Sequence, residues 1–275
     1  MPFHLVLFVL MAALLHASWN AMLRGGVDRL WSMTIMCVAV AIASTIIALF
    51  LKPPASASWG YAALSAVLHV GYNLLLVRSY RAGELGQTYP IARGSSPAMI
   101  VVAASAFAGE RIGGDALLGV ALVSGGIVFL AFNGRGLAVT SLPYALATGG
   151  FIAAYSVADG IGVRLSGAPM AYTVWMCALW GILMPAVYIG LRGAGSLLAI
   201  RPGFAQAFVG GLVSLLAYGI VIYAMAGAPM GAVSALRETS VLFAALIGYC
   251  FLGEALTVRK MLACTVIAIG AAIIG

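Results

Sequence analysis

The chain has 275 residues, 64% of them hydrophobic and 8% charged, with a net charge of +7. Soluble domains carry roughly a quarter charged residues, so this composition excludes a water-soluble globule. Each membrane-spanning helix takes about 20 apolar residues, which leaves no room for a soluble domain beside the spans.

Charges, prolines and glycines divide the sequence into ten predicted spans. The first, about residues 3–23, lacks a basic start and runs on into Trp19, Asn20 and Arg24, so it reads as a retained span and not a secretory signal. The second covers about 31–51 and stops at Lys52-Pro53-Pro54. The third (59–80) and fourth (85–108) follow, then a turn from Gly109 to Asp115 and the fifth span (116–132). A polar break from Asn133 to Pro143 separates the halves. Spans six (144–163), seven (170–191), eight (204–226), nine (231–252) and ten (258–274) complete the chain. The Lys and Arg residues stand singly at span ends, where they meet headgroups and set topology. No clustered basic face suits nucleic acid. Cys37, Cys177, Cys250 and Cys264 each lie in an apolar run without a Cys-x-x-Cys pair, and read as small buried hydrophobes.

One stretch occurs twice. Residues 82–126 align without a gap on residues 226–270 at an offset of 144, so that Arg93 meets Arg237, Ser96 meets Ser240, and Gly109-Glu110 meets Gly253-Glu254. At an offset of 140, Arg24 meets Arg164 and Met36-Cys37 meets Met176-Cys177. The chain therefore divides into 1–136 and 137–275. Five spans per half is odd, so the second half enters the membrane inverted, as in many secondary transporters. The expected fold is all-α: two inverted five-helix repeats around a central cavity. The positive-inside rule places both termini outside the cytoplasm. Ala121/Gly125 and Ala268/Ala272 give the fifth and tenth spans small-x-x-x-small spacings, which mark them as packing or dimerisation helices.

A charge inside a span costs about 2.5–3.5 kcal/mol on the insertion scale and signals function. Arg93 stands between Pro90 and Pro97, where a kink or unwinding is expected, with Tyr89 and Ser96 on its face of the helix. Arg237 is its twin. Glu238 and Asp159 are the acids placed inside spans. Two buried arginines with two buried acids suggest internal pairing first, and ligand or proton coupling second. Polar and aromatic stripes at helical spacing mark His16, Trp19 and Asn20 in the first span, and His69, Tyr72, Asn73 and Tyr80 in the third. Tyr155, Tyr172, Trp175, Ser214 and Tyr218 lie in spans six to eight. A lining of this kind suits a small amphipathic solute. Trp31, Trp59, Tyr61 and Tyr144 sit near span ends as an interfacial belt. No His-Glu-x-x-His, Gly-x-Ser-x-Gly or paired Asp-rich motif is present, so no enzyme activity, cofactor or metal is expected.

These residues carry a resemblance to the drug/metabolite transporter superfamily, in particular its ten-span EamA-type exporters, over essentially the whole chain. It rests on His16-Ala17-Ser18-Trp19-Asn20, Tyr89-Pro90-Ile91-Ala92-Arg93-Gly94, Asp159-Gly160-Ile161-Gly162-Val163-Arg164 and Arg237-Glu238-Thr239-Ser240. The resemblance implies helices 1–4 and 6–9 around a cavity, helices 5 and 10 at the periphery, and alternating access in a cell inner membrane. It also implies cytoplasmic termini, against the charge bias. Its nearest functional counterparts are amino-acid and metabolite exporters, including YddG-like aromatic amino-acid exporters. The expected substrate-binding set is His16, Trp19, Asn20, His69, Tyr72, Asn73, Tyr80, Tyr89, Arg93, Tyr155, Asp159, Trp175, Tyr218 and Arg237. The partners are a small-molecule substrate and the lipid bilayer, as a monomer or as a dimer through helices 5 and 10. The alternatives are a nucleotide-sugar, phosphorylated-metabolite or drug carrier on the same fold, and a lipid-modifying membrane enzyme.

Overall fold

Helices end where charge, proline or glycine interrupts the apolar sequence. In lipid a helix satisfies its own backbone polar groups, and irregular segments are left to the aqueous faces. The computed structural model describes residues 1–24, 28–82, 85–132, 142–199, 201–252, 255 and 257–275, with the backbone alone at 24, 79–82, 85–88 and 251–252. The helices are α1 (Phe3–Arg24), α2 (Arg29–Ala48), α3 (Trp59–Ala82), α4 (Leu85–Ala108), α5 (Gly114–Ala131), α6 (Leu142–Ser166), α7 (Pro169–Arg192), the short α8 (Ala194–Leu198), α9 (Phe204–Gly227), α10 (Met230–Glu238), α11 (Ser240–Leu252) and α12 (Val258–Ile274). Among the described residues nine segments are long and apolar enough to cross a membrane, α10 and α11 together forming one of them. The tenth span, α12, has 17 residues, at the short end of the range that crosses a bilayer. The Gly253-Glu254 turn and the boundary between the halves lie outside the described residues.

The halves interlock. α2 packs on α7 and α5 on α12, each helix against its repeat counterpart. The pairing of α1 with α9 is matched by α6 with α3, and that of α2 with α9 by α7 with α3. Crossings are close where glycine allows it: a Cβ on Gly119 would stand 2.7 Å from the Gly270 carbonyl oxygen, and one on Gly270 would stand 2.8 Å from that of Gly119. The α5–α12 seam therefore uses Gly119, Gly126, Ala263 and Gly270. Ala121, Gly125, Ala268 and Ala272 face outward instead.

The unwinding expected in the fourth span does not occur, and a break falls in the ninth. α4 runs unbroken through Pro90 and Pro97. Pro97 has no N–H for the Arg93 carbonyl, but the Ser96 hydroxyl donates to that oxygen at 3.0 Å, so the group stays satisfied. The ninth span breaks instead, at Thr239, whose N–H and hydroxyl both bond back to the Leu236 carbonyl, at 3.1 and 2.6 Å. Two side chains also depart from expectation. Trp31 is buried, and Cys250 is exposed on the outer surface.

Each face carries an ionic clasp between the halves. On the face opposite the termini, Asp28 caps α2 by accepting from Trp31 N at 3.2 Å, and its other oxygen meets Arg192 at 2.5 Å and Arg201 at 2.7 Å. Arg201 lies over the Trp31 ring, and the Trp31 indole donates to the Leu197 carbonyl. On the face bearing the termini, Arg164 donates to the carbonyls of Met225 (3.0 Å) and Ala228 (2.8 Å) and lies 3.6 Å from Glu110. Glu110 in turn accepts from the Met230 N–H at 2.8 Å. These arginines thus satisfy helix-end groups and do not merely reach for headgroups.

Gly119→Leu should destabilise the protein by about 1–3 kcal/mol through overpacking of the α5–α12 seam. Gly125→Leu, which meets nothing within 4 Å, should leave the melting temperature in detergent near that of the wild type. Equal effects would show that the seam does not limit stability. A second expectation concerns pH. Burial alone would raise the Asp28 carboxyl, but the Trp31 N–H and the two guanidiniums outweigh it and hold its pKa below the ordinary value. Its contribution is therefore fully present above the unfolded pKa of about 3.9 and is lost as pH falls through the lower native value. Melts of wild type and Asp28→Asn should differ at pH 7 and converge in acid. A gap that persists unchanged in acid would assign the residue to packing.

Candidate functional site

The centre of the bundle holds three charged side chains in contact. Arg93 on α4 and Arg237 on α10 are each 2% exposed, and Glu238 is fully buried. One Glu238 oxygen lies 2.7 Å from Arg93 Nε, and the other accepts from Arg237 Nη2 at 3.1 Å. Internal pairing was expected for the buried acids, although sequence neighbours on a helix point about 100° apart. Arg237 and Glu238 meet because α10 ends at Glu238, where the turn at Thr239 begins. The triad carries one positive charge in excess.

His16 extends this group. Arg93 Nη2 lies 2.7 Å from His16 Nε2, and the Trp19 indole N–H lies 3.2 Å from Nδ1. A neutral imidazole has a single acceptor nitrogen. The tautomer of His16 therefore decides which of the two contacts is a hydrogen bond to the ring. Trp180 Nε1 and Arg237 Nε have no acceptor among the described residues. Trp19, Trp180 and Arg237 all line the central cavity.

That cavity lies between α1, α2, α3, α6, α7, α9 and α10. His16, Trp19, His69, Tyr72, Asn73, Tyr155, Tyr218 and Arg237 line it, as the sequence predicts. Its aromatic wall is continuous: the His69 ring stacks on Tyr155 at 3.9 Å and meets Trp180 at 5.0 Å and Tyr218 at 5.1 Å. His69 is fixed by Ser65, through the carbonyl at 2.9 Å and the hydroxyl at 3.2 Å. Asn73 donates to Cys37 Sγ at 3.7 Å. The cavity volume is about 50 Å3, well below the roughly 300–1,000 Å3 of sites that hold small molecules. As it stands, the cavity is too small to hold a solute of that size.

The remaining predicted residues stand behind the lining or away from it. Arg93 supports His16. Asn20 donates to the His16 carbonyl at 2.8 Å, and the Tyr89 ring sits 5.8 Å from the Arg93 guanidinium. Trp175 is away from the cavity, edge-on to Trp59 at 5.2 Å. The side chain of Tyr80 lies outside the described residues. Asp159 is fully buried behind Tyr218 and pairs with no arginine among the described residues. It accepts from Tyr172 at 2.9 Å and Tyr218 at 2.5 Å. Gly162 makes room for this arrangement, since a Cβ there would collide with the Tyr172 hydroxyl. Sequence reasoning missed Trp180, Met33, Met36 and Cys37 in the lining. Trp180 carried a usable signal, an indole in the middle of a span and far from either interfacial belt.

An inverted bundle of this kind, with ion pairs joining its halves at both faces and a cavity at a charged centre, has the build of a multi-pass membrane carrier. The chain belongs to the EamA-like transporter family, whose model matches residues 4–132 and 140–275. The family is one of membrane transporters of small molecules. The uncharacterized protein y4nH of Sinorhizobium fredii is 39% identical over 72 residues, which is 26% of this chain and 62% of that protein's length. A crystal structure of a protein at 18% identity superposes with a TM-score of 0.75 over 98% of this chain and 94% of that one, a likeness of fold.

Glu238→Gln should cost about 3–5 kcal/mol, because it leaves two guanidiniums buried without their shared counter-charge. Arg93→Met leaves a neutral Arg237–Glu238 pair and should cost less. Thermal unfolding of both variants in one detergent checks the order, and a reversed order would mean that Arg93 draws its balance from elsewhere.

Proposed function

We propose that the protein exports small amphipathic metabolites, amino acids including aromatic ones, across the cell inner membrane by alternating access. One observation carries this reading. A single wall of the cavity runs from a guanidinium to a phenol with a carboxylate behind it: Arg237 beside Tyr155, then His69 stacked on Tyr155, then Tyr218, whose hydroxyl donates to the buried Asp159. A solute with a carboxylate at one end, an amine at the other and an apolar body between them is complementary to such a wall. The unmatched N–H groups of Trp180 and Arg237 supply donors for the carboxylate, and charge-assisted hydrogen bonds are the stronger ones. The contracted cavity and the two clasps fit a cycle in which the halves rock about a midplane site, one face opening as the other closes.

Counterflow in proteoliposomes with labelled amino acids, nucleotide sugars and cationic drugs tests the proposal. Saturable exchange of large neutral amino acids is expected, aromatic ones among them. Arg237→Gln should weaken apparent affinity by about tenfold or more, since hydrogen bonds to charged groups contribute about 1.5–3 kcal/mol. Exchange of a phosphorylated solute with silence on amino acids would replace the reading with a carrier for phosphorylated metabolites.

A further inference from the structure

Asp159 is the buried carboxylate that the triad leaves alone. Its side chain has no exposed surface. The groups that face it are hydroxyls from three helices: Tyr172 of α7 on one oxygen, Tyr218 of α9 on the other, and Ser65 of α3 beside them. The other titratable or charged groups on the elements packed around it are committed elsewhere or uncharged. Cys177 of α7 is a buried thiol, and His69 of α3 is stacked on Tyr155 and bonded to Ser65. Arg93 of α4 and Arg237 and Glu238 of α10 are engaged with one another. No cation among the described residues comes within ion-pair reach of Asp159.

An isolated carboxylate in such a place is costly, and the cost is removed by a cation that balances it. The hydroxyls sit at hydrogen-bond distance from both oxygens, which leaves no gap for a metal ion between them. A proton needs no gap. The position of Asp159 along α6 adds the second argument. It lies one helical turn and a residue before Arg164, whose guanidinium ties α6 to the end of α9 at the face bearing the termini. On its other side Tyr218 lines the cavity. Asp159 therefore lies between the cavity and the face bearing the termini.

We propose that Asp159 is the coupling-proton site of this carrier, with solute and proton occupying it and the cavity in alternation. The coupling rests on the carrier reading above; the proton site itself does not. The O–H bond of the carboxyl group is the bond made and broken. With the Arg164 clasp open, the proton exchanges with water on that face. With the clasp closed and the cavity open, it leaves past Tyr218 to the other side. A solute ammonium docked against Tyr218 favours the carboxylate and expels the proton, so solute and proton move in opposite directions.

Infrared difference spectroscopy of the reconstituted protein reads the site without any solute. A protonated-carboxyl C=O band that titrates with pH is expected. It should vanish in Asp159→Asn and titrate at a displaced pH in Tyr218→Phe, a variant that keeps the question open to test if Asp159→Asn fails to fold. Absence of the band, or its survival in Asp159→Asn, would overturn the site. In proteoliposomes an imposed pH gradient should drive amino-acid accumulation in the wild type. Asp159→Asn should accumulate several-fold less relative to its own counterflow. Intact counterflow indifferent to the pH gradient, or driven by a sodium gradient instead, would overturn the coupling. A titrating band with no amino-acid counterflow would sink the substrate reading while sustaining the proton site.

Discussion

Two guanidiniums share one carboxylate at the middle of the bundle, and the rest of the structure is arranged so that this is tolerable. An unpaired charge in hydrocarbon is expensive, and removing one partner of a buried group strands the others. Arg93 comes from the first half and Arg237 and Glu238 from the second, so the pairing exists only when the halves are interlocked. It also fixes the ends of two lining elements. His16 is held against Arg93, and Arg237 is turned toward the cavity where α10 stops. The charge left over after pairing is what gives the cavity a cationic end.

The two faces answer the same demand with cheaper material. Each clasp uses one acid, arginines from the other half, and backbone groups that a helix end would otherwise leave unsatisfied. Because Arg164 serves the α9 carbonyls as well as Glu110, opening that face gives up backbone hydrogen bonds along with an ion pair, and water can replace both. The central triad has no such replacement. In the alternating-access cycle proposed above, the faces are the parts that move and the triad is the fixed centre.

Much of this was legible in the sequence. Apolar runs and their punctuation located the helices, and the aligned Arg93 and Arg237 located the centre, because a charge in lipid needs a reason to be there. The lining stripe of His69, Tyr72 and Asn73 was readable from helical spacing alone. The failures share a cause: they turn on which partner lies across a helix interface. Nothing local tells that Ser96 would make good the hydrogen bond Pro97 cannot donate, or that Thr239 would end a helix. The same holds for Asp159, which found tyrosines where an arginine was expected, and for Trp31, placed at the interface by its position and buried by Arg201 and Phe204. Trp175 and Trp180 occupy one helix, and the rotation that puts the second into the cavity is set by packing on α2 and α3.

The break at Thr239 has no counterpart in α4, which passes intact through its two prolines. An inverted repeat with identical halves would have two end states related by symmetry and equal in energy, so an empty carrier would divide its time evenly between them. Here one half carries a broken helix and the other a continuous one. In the alternating-access cycle proposed above, the two end states are then unequal, and the unloaded molecule has a resting side.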